Sequence, residues 1–255
     1  MASFRDQGLV LRHYNLGEAD RIIVLFTRAH GLLRCVAKGV RRTRSRFGAR
    51  LEPFTLIDVQ IYPGRNLNTI TEAVTVETFN ARIVADYERY TASASVLEAV
   101  ERLLGEEEQP NPQLFDLTVG VMGALSYGRR SPQQMVDTYL LRAMAEAGWA
   151  PELDKCAVCG AEGPHQAFHP AAGGVVCVKH RPPGSATPMA GVLEYLRSLR
   201  DARWDRADSI AGDKKLGRRV QEEAHQLIVS HLQWHTERKI TAFDLAAEAE
   251  RGHWR

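Results

Sequence analysis

The apolar positions of the first eighty residues recur with a period of two, the spacing of strands with one buried face. Leu9-Val10-Leu11 sits in a strand expected over 7–14. Arg21 to Thr27 is rich in β-branched residues, which fit a pleated surface, and Leu32 to Ala37 follows a turn at Ala29-His30-Gly31. From Phe54 to Tyr62, Ile57, Val59 and Ile61 alternate onto one face. Pro63-Gly64 is a turn pair, because proline presets φ and glycine tolerates a positive one. Leu67 to Phe79 alternates less cleanly, with Ile70, Val74 and Val76 expected on a common face. Five strands with short turns, and one longer gap from Lys38 to Pro53, predict a small closed barrel of the OB type. An SH3-like barrel and an open sheet are the alternatives.

After Phe79 the period lengthens to that of a helix. Ile83, Tyr87, Tyr90, Val96, Leu97, Val100 and Leu104 predict a helix over 82–104, closed by Gly105 and followed by Glu106-Glu107-Glu108. Leu114, Leu117, Val121 and Leu125 form a second stripe that stops at Gly128. Ser131-Pro132 opens a third helix as N-cap and first helical residue, and that helix stops near Gly148. Residues 149–187 carry cysteines, histidines, glycines and prolines without a long periodic run. Helical patterning returns at Met189 to Leu199 and from Leu216 to about Trp234, and Asp244 to Arg251 suits a short terminal helix. The expected class is therefore α+β: a five-stranded barrel over 1–80, then an α-helical domain over 81–255 with a cysteine-rich insert at about 149–187.

Composition narrows the class without changing the picture. The chain has 255 residues, 44% hydrophobic and 25% charged, so a disordered or fibrous protein is excluded. The most apolar uncharged run, Leu117 to Gly128, is well short of the ~20 residues a membrane span needs. Met1-Ala2-Ser3-Phe4-Arg5-Asp6 shows no apolar signal region, and the expected location is the cytoplasm, with the nucleoid. Charge is more informative. Residues 1–80 hold 12 Lys/Arg against 7 Asp/Glu, whereas 81–255 hold 21 against 24.

Much of the excess lies in the long gap and the strand before it. Arg34, Lys38, Arg41, Arg42, Arg44, Arg46 and Arg50 fall within 34–50 with no acid among them. Guanidinium groups bond two phosphate oxygens at once, so this one-signed run on a barrel predicts nucleic-acid binding, against the plainer reading of a solvated loop. Phe47 is either a ring for base stacking or an anchor of the loop to the core. A lesser cluster, Lys214, Lys215, Arg218 and Arg219, is as well explained as surface as by a second contact.

The cysteines point to metal. Cys156-Ala157-Val158-Cys159-Gly160 is a Cys-x-x-Cys knuckle, and Cys177-Val178-Lys179-His180 repeats the gap after seventeen intervening residues. Two such pairs close a tetrahedral Cys3His site for one structural Zn2+. His165 and His169 are the other candidates for the fourth ligand. A redox Cys-x-x-Cys would need neither the second pair nor this context, and Cys35, alone in a strand, reads as a buried thiol. Four protein ligands leave no position for water, which argues against catalysis.

Enzyme signatures are missing. The sequence has no phosphate-binding loop, no dinucleotide fingerprint, no nucleophile elbow and no His-Glu-x-x-His. The His-x-Glu at His235-Thr236-Glu237 follows the cysteines, and Lys155 stands where a zinc deaminase has proline. Glu18 and Asp20 flank a strand start and suit turn or ion-pair roles. A binding protein is expected rather than an enzyme. The alternatives are a zinc-dependent nucleic-acid hydrolase or deaminase and an RNA-binding factor built on an OB barrel.

The chain resembles the RecO family of bacterial DNA-repair and recombination mediators. The likeness runs through Gly17-Glu18-Ala19-Asp20-Arg21, Phe26-Thr27-Arg28-Ala29-His30-Gly31, Ala37-Lys38-Gly39-Val40-Arg41-Arg42 with Ser45-Arg46, and Leu51-Glu52-Pro53-Phe54. It resumes at Ala147-Gly148-Trp149-Ala150-Pro151-Glu152-Leu153 and runs through Cys156 to Gly160 to Gly173-Gly174 before Cys177. The resemblance implies an OB fold, a helical domain and a zinc finger. It implies binding of single- and double-stranded DNA and annealing of complementary strands, including strands coated by single-strand-binding protein (SSB). It also implies partnership with RecR and help in loading RecA. The acidic tail of SSB is an implied ligand, for which Arg142 beside Tyr139 is a candidate contact. This chain has His180 where family members often have cysteine, and some members lack the cluster, so a structural role is the one carried over.

Overall fold

The computed structural model describes residues 2–105, 109–128 and 130–236. The Asp244–Arg251 helix expected from the sequence lies outside these. The described residues fall into two compact units that divide between Pro132 and Gln133.

In the first unit, β1 (Phe4–Leu16), β2 (Asp20–Thr27), β3 (Gly31–Ala37), β4 (Thr55–Tyr62) and β5 (Asn68–Thr78) close a barrel in the order β1-β2-β3-β5-β4. This is the OB-type barrel expected. β1 is long enough to serve two neighbours: Phe4–Leu9 pairs antiparallel with β4, and Gly8–Leu16 with β2. β3 and β5 run parallel and meet at only two residue pairs, Cys35 with Asn68 and Val36 with Thr69. The barrel interior holds Val10, Ile23, Leu25, Leu33, Cys35, Ile57, Val59, Ile61 and Ile70.

The expected common face of Ile70, Val74 and Val76 does not form. Ile61 pairs with Ile70 but Gln60 with Glu72, so Thr71 is an extra residue, and the Thr71 hydroxyl donates to the Gln60 carbonyl at 3.1 Å. That bulged residue reverses the alternation as far as Thr75, and a second irregularity, with Val76 extra between the Ile57–Thr75 and Leu56–Glu77 pairs, follows. Ala73 therefore packs on the core, while Val74 and Val76 are exposed.

Three helices complete this unit: α1 (Asn80–Ile83), α2 (Tyr87–Leu104) and α3 (Pro112–Tyr127). The single helix expected over 82–104 is broken because the Asp86 carboxylate accepts the Arg89 N–H at 3.0 Å and caps a new helix start. Asn111 caps α3 in the same way, and Gly128 ends it in the left-handed conformation that glycine tolerates.

The second unit contains α4 (Pro132–Glu146) from Gln133 onward, a hairpin of β6 (Ala167–His169) and β7 (Gly174–Val176), and α5 (Val192–Arg200), α6 (Trp204–Ala211) and α7 (Gly217–Thr236). Tyr139, Leu140, Tyr195, Leu196, Leu199, Ile228 and Leu232 are buried here. The Gly174 turn is obligatory: at φ +142° a Cβ would lie 2.2 Å from the Glu152 carbonyl oxygen. Among the described residues no helix is long and apolar enough to cross a membrane.

Candidate nucleic-acid interface and metal centre

The basic run starts on β3 and continues through the β3–β4 loop. All seven cations, Arg34, Lys38, Arg41, Arg42, Arg44, Arg46 and Arg50, are exposed. No carboxylate of the described residues pairs with any of them, so each retains its charge for a ligand. The loop that carries them is nonetheless fixed. The Gly39 N–H donates to Asp20 Oδ1 at 2.7 Å, and the Arg41 backbone and guanidinium N–H groups donate to the Ala19 and Gly17 carbonyls, each at 3.0 Å. At its far end Glu52 meets Arg21 at 2.8 Å and His13 at 3.1 Å.

Phe47 and Leu51 enter the barrel core, each 1% exposed. Phe47 is therefore the loop's anchor, which removes it as a stacking ring for bases. Arg46 lies over the Phe47 ring at 4.9 Å, and Arg50 donates to the Arg46 carbonyl at 2.6 Å. The buried Phe47 ring and Leu51, with Asp20 and Glu52 at the loop's two ends, hold the arginine-rich loop in shape without pairing its cations to acids.

The sequence reading passed over a groove where β3 and the β4–β5 turn diverge, lined by Arg34, Arg65, Asn66 and Asn68. Arg65 is a lone cation next to a turn pair; its signal was the OB rule that the β4–β5 loop meets the ligand.

In the second unit Cys156, Cys159, Cys177 and His180 converge, with their ligand atoms all within 4.8 Å of one another. The Cys177 sulfur lies 3.3 Å from His180 Nδ1, the Cys156 sulfur 3.9 Å from the same nitrogen, and the Cys159 and Cys177 sulfurs are 4.0 Å apart. A tetrahedral zinc with Zn–S of about 2.3 Å and Zn–N of about 2.0 Å puts its ligands about 3.5–3.8 Å apart. The donor set and spacing fit such an ion. His180 belongs to the cluster, whereas the His165 ring bonds the Ala161 carbonyl at 2.8 Å, and His169 is not in the group.

The electrostatics favour thiolate at Cys156. The Cys177 N–H above all pulls the Cys156 thiol down to about 5; burial opposes it, and the Cys159 and Val158 N–H groups add to it. Cys159 is held above its usual value. The Ala161 N–H favours its thiolate, but lost hydration and the Cys156 and Cys177 sulfurs outweigh it. A cation among these sulfurs relieves that repulsion.

The knuckle segment is also fastened to its own unit. The Arg197 guanidinium donates to the Leu153 carbonyl at 3.0 Å, and Arg200 meets Asp154 at 2.7 Å. Phe168 and Ala186 exchange two backbone hydrogen bonds of 2.9 Å. Lys214, Lys215, Arg218 and Arg219 are exposed, with Arg218 paired to Glu222 one turn on. Arg142 is half-buried beside the buried Tyr139.

A family model described as the N-terminal part of recombination protein O matches residues 1–79. A second, described as its C-terminal part, matches residues 84–242.

Proposed function

Because the chain belongs to the RecO family, and is thus a DNA-binding recombination mediator of DNA repair rather than an enzyme, we propose that it anneals complementary single strands along its basic loop. The observation that carries this reading is the set of seven exposed cations without acid partners on an OB-type barrel. Arginine and lysine neutralise the phosphates of one strand and release its counterions. The same charge admits a second strand that would otherwise be repelled, so base pairing nucleates there. Both single- and double-stranded DNA are ligands on this account, and no covalent bond is made or broken.

Cys156, Cys159, Cys177 and His180 hold one structural Zn2+. It supplies a cross-link for a segment with little apolar core of its own. The reading extends to SSB-coated strands, to RecR as partner and, through it, to RecA loading, in the cytoplasm at the nucleoid.

The test is annealing of two complementary oligonucleotides, each coated with SSB, without nucleotide. The chain accelerates it, and Arg41→Glu with Arg42→Glu abolishes most of the acceleration. Equal annealing by that double variant would remove the loop from the interface, and cleaved or base-modified strands would overturn the non-enzymatic reading.

A further inference from the structure

The register of β1, β2 and β3 sorts their outward side chains into cross-strand rows. The first is Leu9–Phe26–Leu32, the second Arg12–Val24–Arg34, and the third Tyr14–Ile22–Val36. The first row is sealed: Leu9 and Phe26 are fully buried, and the Phe115 ring of α3 meets Phe26 edge-on at 5.3 Å. Arg28 pairs with Asp116 of α3 at 2.7 Å, and Arg12 contacts Glu101 of α2. At the third row this cover has ended. Tyr14 is 42% exposed, and Ile22 and Val36 are half-buried. OB barrels bind oligonucleotides on the face of strands two and three, and α2 and α3 leave this end of that face open.

The open end offers the two chemistries a single strand needs. The Tyr14 ring lies beside the apolar Ile22–Val36 strip, with the Arg12 guanidinium 4.8 Å from its centroid. Next to Val36, β3 and the β4–β5 turn part into the groove of Arg34, Arg65, Asn66 and Asn68. Neither arginine has a carboxylate partner among the described residues. On the other side, Lys38 follows β3 directly, and Arg41 is bound to the Gly17–Ala19 turn that follows β1. Cations therefore flank an exposed aromatic on both sides.

We infer that a base of bound single-stranded DNA stacks on Tyr14, with Arg34 and Arg65 holding a phosphate farther along the same strand in the groove. The inference rests on the single-strand reading above and assigns part of the strand's path. Duplex bases are already stacked inside the helix, so they have no use for the ring; a loose single strand does.

The test uses the full chain, a labelled oligothymidylate and a duplex of equal length, with binding read by fluorescence anisotropy. Tyr14→Ala weakens single-strand binding about 5- to 150-fold, the effect of losing one stacked base. Tyr14→Phe restores it to within about twofold, because the ring remains. Duplex binding by both variants stays within about twofold of the parent. Arg65→Ala reduces the salt slope of single-strand binding by about 0.7. Tyr14→Ala that binds single strands like the parent, while Arg41→Glu with Arg42→Glu loses them, overturns the stacking site and leaves the loop reading standing. Loss of none of the binding in any of these variants overturns both. Equal loss on single strand and duplex in Tyr14→Ala also overturns the inference, because it marks a damaged barrel.

Discussion

His231 on α7 is enclosed completely, and burial pushes its imidazole down to about 4. The Trp149 carbonyl, 3.0 Å from Nε2, works against that shift, and the neighbouring His235 works with it. In the unfolded chain the ring titrates near 6.5. Between pH 6.5 and pH 4 the unfolded state takes up a proton that the native ring refuses. The associated stability is complete above pH 6.5 and falls by about 3 kcal/mol as pH drops to 4. His231→Phe should therefore show a shallower loss of melting temperature across that window than the parent, whatever its absolute stability. Identical slopes would locate the acid sensitivity elsewhere. Nothing in the sequence distinguishes this histidine, because its protonation is set by what encloses it. Phe47 shows the same limit. A phenylalanine among arginines fits a base-stacking ring and a core anchor equally, and only the 1% exposure decides.

At the scale of elements, the most legible feature was the knuckle pair. Metal ligation is specified by short sequence spacings, and Cys156, Cys159, Cys177 and His180 met as the spacings required. Cys156→Ser should take metal content from about one per chain to near zero. Unfolding should then begin at a lower temperature, with the 150–187 segment, while DNA binding through the barrel changes little, since its cations lie in the other unit. Metal content that stays near one would mean a different ligand set. Strand existence was equally legible, but the bulge at Thr71 was not. Threonine is an ordinary strand residue, and the extra position exists only in relation to Gln60 and Ile61 on the neighbouring strand. The break before α2 did carry a signal: Asp86 precedes Tyr87-Glu88-Arg89, and aspartate is a strong N-cap.

For the whole molecule, net charge of +2 understates the field at the barrel, where seven cations stand exposed without acids. If these seven and Arg65 are the phosphate contacts, single-strand affinity should fall with log salt at a slope no steeper than about −6, at ~0.7 per phosphate. A titration of affinity against salt checks this; a steeper slope requires cations beyond these eight. The helical cover on the outer barrel face left a trace in the sequence. Leu9-Val10-Leu11 and Ile22 to Phe26 are unbroken apolar runs rather than alternations, which is how strands buried on both faces read. Which elements supply the cover is a tertiary fact that no local pattern encodes. Closure of the barrel through its first strand also imposes an order in time. Phe4 waits for Ile61, and Val36 for Thr69. At ~5–20 residues per second of synthesis, a nascent three-stranded meander stands with both edges bare for seconds, and the arginine-rich loop leaves the ribosome before the barrel it will decorate has shut.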